Sequence, residues 1–272
     1  MFIIMRFPNG LKKTLTLSYD DGVSQDIRMC EILSKNSIKC TFNINGGLFA
    51  PEGSSARRLS LSAAVDLYNK HGQDVAAHGF EHQFLTYLNP SQFSYEMVKD
   101  REILEKAFDR TIRGLAYAYG AVDNKTVDTL RALGFVYART TLSTESFSLP
   151  SEWLRLNPTA HHNNPRLMEL AKRFAETDTG RHPAMFYLWG HTYEFDDNKN
   201  WNVIEEFCEY MGGREDIWYA SNTEIYDYVE AYGRLVWNAN SSVVYNPTVK
   251  TLWFDANGTT YSIAPDQTLK IR

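Results

Sequence analysis

The chain alternates short apolar runs of strand character with longer segments of helical periodicity. "TLTLSY" (14–19) is rich in β-branched and large apolar residues. It is followed by "SQDIRMCEILSKN" (24–36), whose apolar positions recur at helical spacing. The succession continues with strand "CTFNIN" (40–45), helix "SLSAAVDLYNKHG" (60–72) ending in glycine, strand "DVAAH" (74–78) and a long helix from about Ser91 to Phe108. Strand "IRGLAYAYG" (112–120), helix 123–133 and strand "FVYART" (135–140) come next. An irregular stretch with Pro150, Pro158 and Pro165 precedes a helix over about 165–176, strand "AMFYLWG" (184–190), helix 201–212, strand "DIWYAS" (216–221) and helix 222–232. About seven strand-then-helix units predict an α/β fold of parallel strands joined by crossover helices, either a closed barrel or a doubly wound sheet. In both, chemistry sits at the carboxyl ends of the strands.

From Arg234 onward helical periodicity stops, and "DANGT" is a hairpin-turn signal between two strand-like runs. Residues 1–233 therefore read as the main domain and 234–272 as a small β appendage packed on it, too short for a secure core of its own. Composition changes this picture little: 43% apolar and 22% charged residues are those of an ordinary globular protein. A net charge of -5 argues against nucleic acid as a partner, because phosphate binding needs a basic face. Cys30, Cys40 and Cys208 have no paired metal spacing and read as buried free thiols. No run approaches the roughly 20 apolar residues of a membrane span. The four-residue apolar run near the N-terminus is too short for a signal-peptide core, from which a cytoplasmic location is expected.

The unusual polar residues collect at strand ends. Asp20 and Asp21 close the first predicted strand, His78 the third with His82 four residues on, and His191 follows the sixth. Two histidines and one carboxylate make a common catalytic metal set, because imidazole nitrogen and carboxylate oxygen suit Zn²⁺ while leaving positions open. Adjacent acids repel; a nearby dication makes the pair tolerable, with one carboxylate on the cation and the other free to take a proton from water.

In this order the residues resemble the polysaccharide deacetylase family, the NodB-homology domain of carbohydrate esterase family four. Ser18-Tyr19-Asp20-Asp21-Gly22 stands where the family usually has Thr-Phe-Asp-Asp-Gly. "CTFNINGG" (40–47) is similar to its Ala-Thr-Phe-Phe strand, "AAHGFEH" (76–82) to its His-x-x-x-His motif, "LWGHTYEF" (188–195) to its last motif and "WYASNTEIYDYV" (218–229) to its closing strand and helix. The resemblance spans about residues 12–232. It implies a distorted (β/α)₇ barrel and hydrolysis of an N-acetyl or similar amide on a carbohydrate, with Asp20 as general base, Asp21, His78 and His82 as ligands of a divalent metal (Zn²⁺, with Co²⁺ the alternative), and His191 as general acid.

One departure stands out. The family's third motif usually begins with an Arg that braces the base; here it aligns as Ala116-Tyr117-Ala118-Tyr119-Gly120. Arg113 should face the other side of its strand, so Arg139, at the end of "FVYART", is the candidate substitute. Tyr119 and Tyr193 flank motifs and are candidates, with Arg139, for contact with substrate, whereas Trp189 reads as buried. Glu194 and Asp196 are candidates to orient His191. His161 and His162, on a Pro- and Asn-rich loop, read as surface residues, and His71 and His182 as loop or helix-end residues. Two other readings stay open: the same metal chemistry on a non-sugar amide, and a carbohydrate-binding pseudoenzyme without the motif-three Arg.

Overall fold

The computed structural model describes residues 2–180 and 182–271. Its strands are β1 (Ile3–Arg6), β2 (Lys13–Asp20), β3 (Cys40–Ile44), β4 (Asp74–Ala77), β5 (Gly114–Ala116), β6 (Tyr137–Arg139), β7 (Ala160–His161), β8 (Ala184–Gly190), β9 (Ile217–Tyr219), β10 (Val236–Trp237), β11 (Val243–Tyr245), β12 (Leu252–Ala256), β13 (Thr259–Ile263) and β14 (Thr268–Lys270). Between them lie α1 (Asp26–Lys35), α2 (Leu61–Lys70), α3 (Pro90–Phe108), α4 (Asn124–Ala132), α5 (Leu167–Glu176), the short α6 (Tyr193–Asp197), α7 (Asn202–Met211) and α8 (Asn222–Gly233).

Seven parallel strands, in the order β6-β5-β4-β3-β2-β8-β7, curl into a half-barrel. This is the distorted (β/α)₇ architecture implied by the resemblance. β2 is its centre. All eight of its residues are buried, and it pairs with β8 along one edge and with β3 and the short β9 along the other. Burial on both faces of a parallel sheet explains why β8 reads as a near-continuous apolar run; β2 alternates instead, and its buried Thr14, Thr16 and Ser18 hydroxyls bond to Trp218 O, Asn222 and Tyr187. Leu15, Leu17, Phe42, Phe186 and Leu188 are fully buried, each contributing about 1.5–3 kcal/mol relative to exposure.

The strand at 216–221 is shorter than the sequence indicated and lies only beside the start of β2. The seventh place belongs to β7, two residues inside the stretch expected to be irregular. That stretch spans the gap between the sheet edges: Leu156 donates to Ala138 O and accepts from Thr140 N beside β6, and Thr159 donates to Tyr187 O beside β8. A segment this short carries no periodicity, so only long-range pairing reveals it.

Helix starts follow local chemistry. Asn89 and Gln92 form a capping box with Pro90 at the first turn of α3, Ser221 and Glu224 do the same for α8, and Asp123 caps α4. The predicted hairpin forms between β12 and β13. Its central residues Asn257 and Gly258 both take positive φ, 52° and 81°, as a type I′ turn requires. β1 pairs antiparallel with β12, so the two ends of the chain share one sheet. Met5, Phe7, Leu252, Phe254 and Ile263 pack there with Tyr228 and Ala231 of α8.

Gly114 decides one contact in the barrel wall: a Cβ there would fall 2.0 Å from the buried Tyr137 ring. Gly114→Ala should therefore destabilise the protein by about 1–3 kcal/mol or more through overpacking, read as a lowered thermal midpoint. An unchanged midpoint would contradict the packing described.

Candidate active site

Successive strand residues face opposite sides of a sheet, so two acids at one strand end should diverge. The chain does this at the boundary itself. Asp20 is the last residue of β2, and Asp21 turns with φ 84° into Gly22 at φ 65°. Asp20 is 2% exposed. Its Oδ1 accepts from Asn43 Nδ2 at 2.7 Å, and its Oδ2 accepts from Arg139 Nη2. Arg139, at the end of β6, is itself fully buried, its guanidinium 4.2 Å above the Trp189 ring. Arg113 instead pairs with Asp227. Burial alone would raise the Asp20 pKa, but Arg139, then His78 and His191, together outweigh it and hold the carboxyl at about 2.

Asp21 faces another set of partners. Arg58 donates to its main-chain oxygen at 2.5 Å and to its Oδ1 at 3.0 Å. His78 follows β4 directly, and its Nδ1–H donates to Ala116 O at 2.8 Å, so Nε2 carries the lone pair. The backbone N–H groups of Gly46, His78 and Gly79 donate to the buried Asp100 of α3 at 2.6, 3.0 and 2.8 Å, which fixes the strand end carrying His78. His82 takes φ 56° and brings its Nε2 to 3.1 Å from His78 Nε2 and 3.8 Å from Asp21 Oδ1. One ligand atom of each of Asp21, His78 and His82 lies within 4.8 Å of the others. Burial holds both imidazoles below the usual histidine range, His82 at about 4, so they stand neutral. Two neutral nitrogens and a carboxylate oxygen facing one point fit a divalent ion of the zinc type.

His191 follows β8. Its Nε2 lies 3.8 Å from Asp20 Oδ2, and its Nδ1–H donates to Glu194 Oε1 at 2.7 Å. Burial would lower its pKa, but the bond to Glu194 and the charges of Asp20 and Asp21 raise it above the ordinary value. Glu194 also accepts from Asn163 Nδ2 at 2.6 Å, and it lies 3.6 Å from His161 Nε2 and 3.2 Å from His162 Nε2. Burial pushes its carboxyl up, yet its three imidazole neighbours drive it well below the usual range. Asp196 turns elsewhere, accepting from Trp201 Nε1 and Gln25.

Tyr119 is 57% exposed at φ 58°, stacked on Phe84 with ring centres 3.8 Å apart and edge-on to His82 at 4.5 Å. The Tyr193 ring lies 5.2 Å from that of His191 and 4.8 Å from the Arg57 guanidinium. Trp189 is buried, as expected, and the three cysteines are buried and free. His162, read from its loop as a surface residue, is 1% exposed because β7 carries it into the barrel between Tyr19 and Phe195. Asn43, Arg58 and Asp100 gave no signal in the sequence, since nothing in their local spacing distinguishes them from structural residues. A cavity of about 830 Å³ lined by Phe147, Thr179 and His182 lies at the opposite end of β8, beside Ala184, and contains none of these groups.

Comparison with known proteins adds the family. No curated protein matches the chain. A Streptococcus pyogenes deacetylase solved with acetate is 25% identical over 52% of this chain and 61% of its own length, with a TM-score of 0.47; the chain thus spans less than two thirds of that relative. A Mycobacterium smegmatis structure solved as a candidate polysaccharide deacetylase is 14% identical, covers 85% of this chain and 94% of its own, and has a TM-score of 0.62. A Bacillus anthracis pseudoenzyme of carbohydrate esterase family four is 16% identical, covers 82% and 68%, and has a TM-score of 0.50. At these identities the likeness is one of fold. A family model described as polysaccharide deacetylase matches residues 8–138, which include Asp20, Asp21, His78 and His82 and end before His191. The resemblance read from the motifs is therefore shown, and residues 8–138 match the polysaccharide deacetylase family.

Proposed function

We propose that this protein is a metal-dependent hydrolase that removes an acyl group, N-acetyl in the first instance, from an amino-sugar residue of a carbohydrate. The observation that carries the reading is the position of one atom. Asp20 Oδ2 lies 3.8 Å from His191 Nε2 and 3.8 Å from His78 Nε2, so a single carboxylate stands between a proton donor and a set of metal ligands. A fold shared with a pseudoenzyme does not speak for turnover; the residues in the cleft do.

Asp21, His78 and His82 would hold the ion. When bound, it supplies Lewis acidity to the acyl oxygen and to the attacking water. Asp20, held ionised by Arg139 and Asn43, accepts the proton that water loses as its oxygen joins the acyl carbon. His191, whose protonated form Glu194 favours, gives its Nε2 proton to the nitrogen as the C–N bond breaks, so that a neutral amine leaves. The products are a carboxylate and the free amine. Tyr119 and Tyr193 stand on either side of this arrangement, exposed enough to touch a sugar ring. The non-sugar amide remains distinguishable by substrate, since the chemistry would be the same.

Acetate release from N-acetylated oligosaccharides with added Zn²⁺ or Co²⁺ tests the reading, and a chelator should abolish it reversibly. Asp20→Asn should reduce turnover by about 10²–10⁴-fold, the range of general acid–base catalysis, while metal content stays unchanged; full activity in this variant would overturn the assignment. Tight metal with turnover only on non-sugar amides would transfer the reading to that substrate class. Sugar binding without turnover would make the chain a binding protein.

Arg139→Ala should cut turnover far more than metal content, because it frees the base without touching the ligands. Unchanged turnover would remove Arg139 from the mechanism. Glu194→Gln removes the negative charge that favours the imidazolium, so the His191 pKa should fall. The alkaline limb of the kcat/KM profile should then move to lower pH, and an unmoved limb would mean that Glu194 does not set it.

A further inference from the structure

Beyond the first triad, the cleft holds a second set of metal-type donors on the far side of His191. His161 Nε2 and His162 Nε2 approach the two oxygens of Glu194 at 3.6 and 3.2 Å. One ligand atom from each of the three residues lies within 4.8 Å of the others, as is also true of Asp21, His78 and His82. Each imidazole faces a different carboxylate oxygen, at separations on the scale of the roughly 3.3 Å edge of a tetrahedron built from zinc bonds of about 2.0–2.1 Å.

His162 distinguishes the group from a chance cluster. It is 1% exposed, and neither of its ring nitrogens has a hydrogen-bonding partner. The 3.2 Å approach to Glu194 is close but is not aligned as an N–H···O bond. Its ring is fixed between Tyr19, stacked 5.7 Å away, and Phe195, stacked 4.2 Å away. Its Nδ1 is closed off by Gly190, where a Cβ would fall 2.0 Å from it. That leaves Nε2 as the nitrogen facing Glu194. Burial holds this imidazole at a pKa of about 4, so the ring is neutral, and ligation through Nε2 would place its one proton on Nδ1.

We infer that His161, His162 and Glu194 form a second divalent-cation site of the zinc type, and that an ion there acts as an inhibitor by taking Glu194 from His191. Glu194 Oε1 is the shared atom, 2.7 Å from His191 Nδ1 and 3.6 Å from His161 Nε2. An ion on this carboxylate takes the acceptor that fixes the His191 ring, so Nε2 is no longer held 3.8 Å from Asp20 Oδ2. Filling the site has a cost that orders the two affinities. His161 Nδ1 accepts the Asn163 backbone N–H at 3.1 Å; ligation through Nε2 moves the ring proton to Nδ1 and forfeits that bond. The second ion therefore binds more weakly than the first.

The existence of the site is independent of the proposed reaction; only its inhibitory effect rests on that reading. The test is zinc counting on the full chain by equilibrium dialysis with elemental analysis. The wild type should bind one ion tightly and a second at higher free zinc. His161→Ala and Glu194→Gln should each keep the tight ion and lose the weak one; His161 is the partly exposed member, so its removal leaves the ring stack around His162 intact. His82→Ala should lose the tight ion and keep the weak one. A single ion in the wild type would overturn the proposal, as would a second ion retained by both His161→Ala and Glu194→Gln. In turnover assays, activity should rise with the first equivalent and fall severalfold as the second site fills, and the fall should vanish in His161→Ala. A fall that persists there would refute inhibition through this site. Two ions with the expected losses but no acyl release would leave the site standing and remove the deacetylase reading.

Discussion

Two carboxylates side by side at the end of a buried strand coexist only when each has its own counter-charge. Asp20 and Asp21 satisfy this by a single backbone event. β2 stays extended through Asp20, and Asp21 crosses to φ 84°. A non-glycine residue in that region carries strain of about 1–3 kcal/mol, held in place by its surroundings. The turn sends Asp20 toward Arg139 and Asn43, and Asp21 toward Arg58 and the two imidazoles. The rest of the cleft is arranged around this divergence. An isolated charge this deep in the barrel would neutralise itself by taking a proton; Arg139 keeps Asp20 ionised instead.

The imidazoles are set by groups behind them rather than by contacts in the cleft. His78 is fixed twice: by Ala116 O on its ring and by Asp100, which gathers three backbone N–H groups from two strand ends. Gly46 is required for this gathering, since a Cβ there would lie 2.9 Å from Asp100 Oδ1. Anchoring through the main chain at Nδ1 turns the Nε2 lone pair of His78 toward His82 and the cleft. On the opposite wall, Glu194 holds His191 through Nδ1, so its Nε2 faces Asp20. The two histidines beside Asp20 thus have opposite tendencies. Burial lowers the His78 pKa, whereas at His191 the bond to Glu194 and the two aspartates outweigh burial and raise it. That division is what the proposed acid role of His191 and ligand role of His78 require.

Buried electrostatics of this kind need a rigid frame. β2 and β8 supply it, pairing in parallel register from Lys13–Ala184 to Tyr19–Gly190. This pairing brings Asp20 and His191, each one residue beyond it, to neighbouring strand ends. The extra strand β7 then delivers His161 and His162 to Glu194, where the rim of a barrel would otherwise be an open loop.

The sequence by itself determined the strand–helix alternation, the β12–β13 hairpin and the order of the five polar residues, because periodicity, turn chemistry and strand-end position are local properties. Even Arg139 was legible, by elimination: Arg113 sits on the wrong face of its strand, and its partner is Asp227. Tertiary structure alone decided what depends on separation. Residues 119 positions apart join Asp20 to Arg139, and Arg58 reaches Asp21 across 37. β1 finds β12 at the other end of the chain. His162 shows the limit most clearly, since its Pro- and Asn-rich neighbours read as surface while two residues of strand pairing bury it. Burial and hydrogen-bond partners are set by the packing of distant segments, and no short-range pattern encodes them.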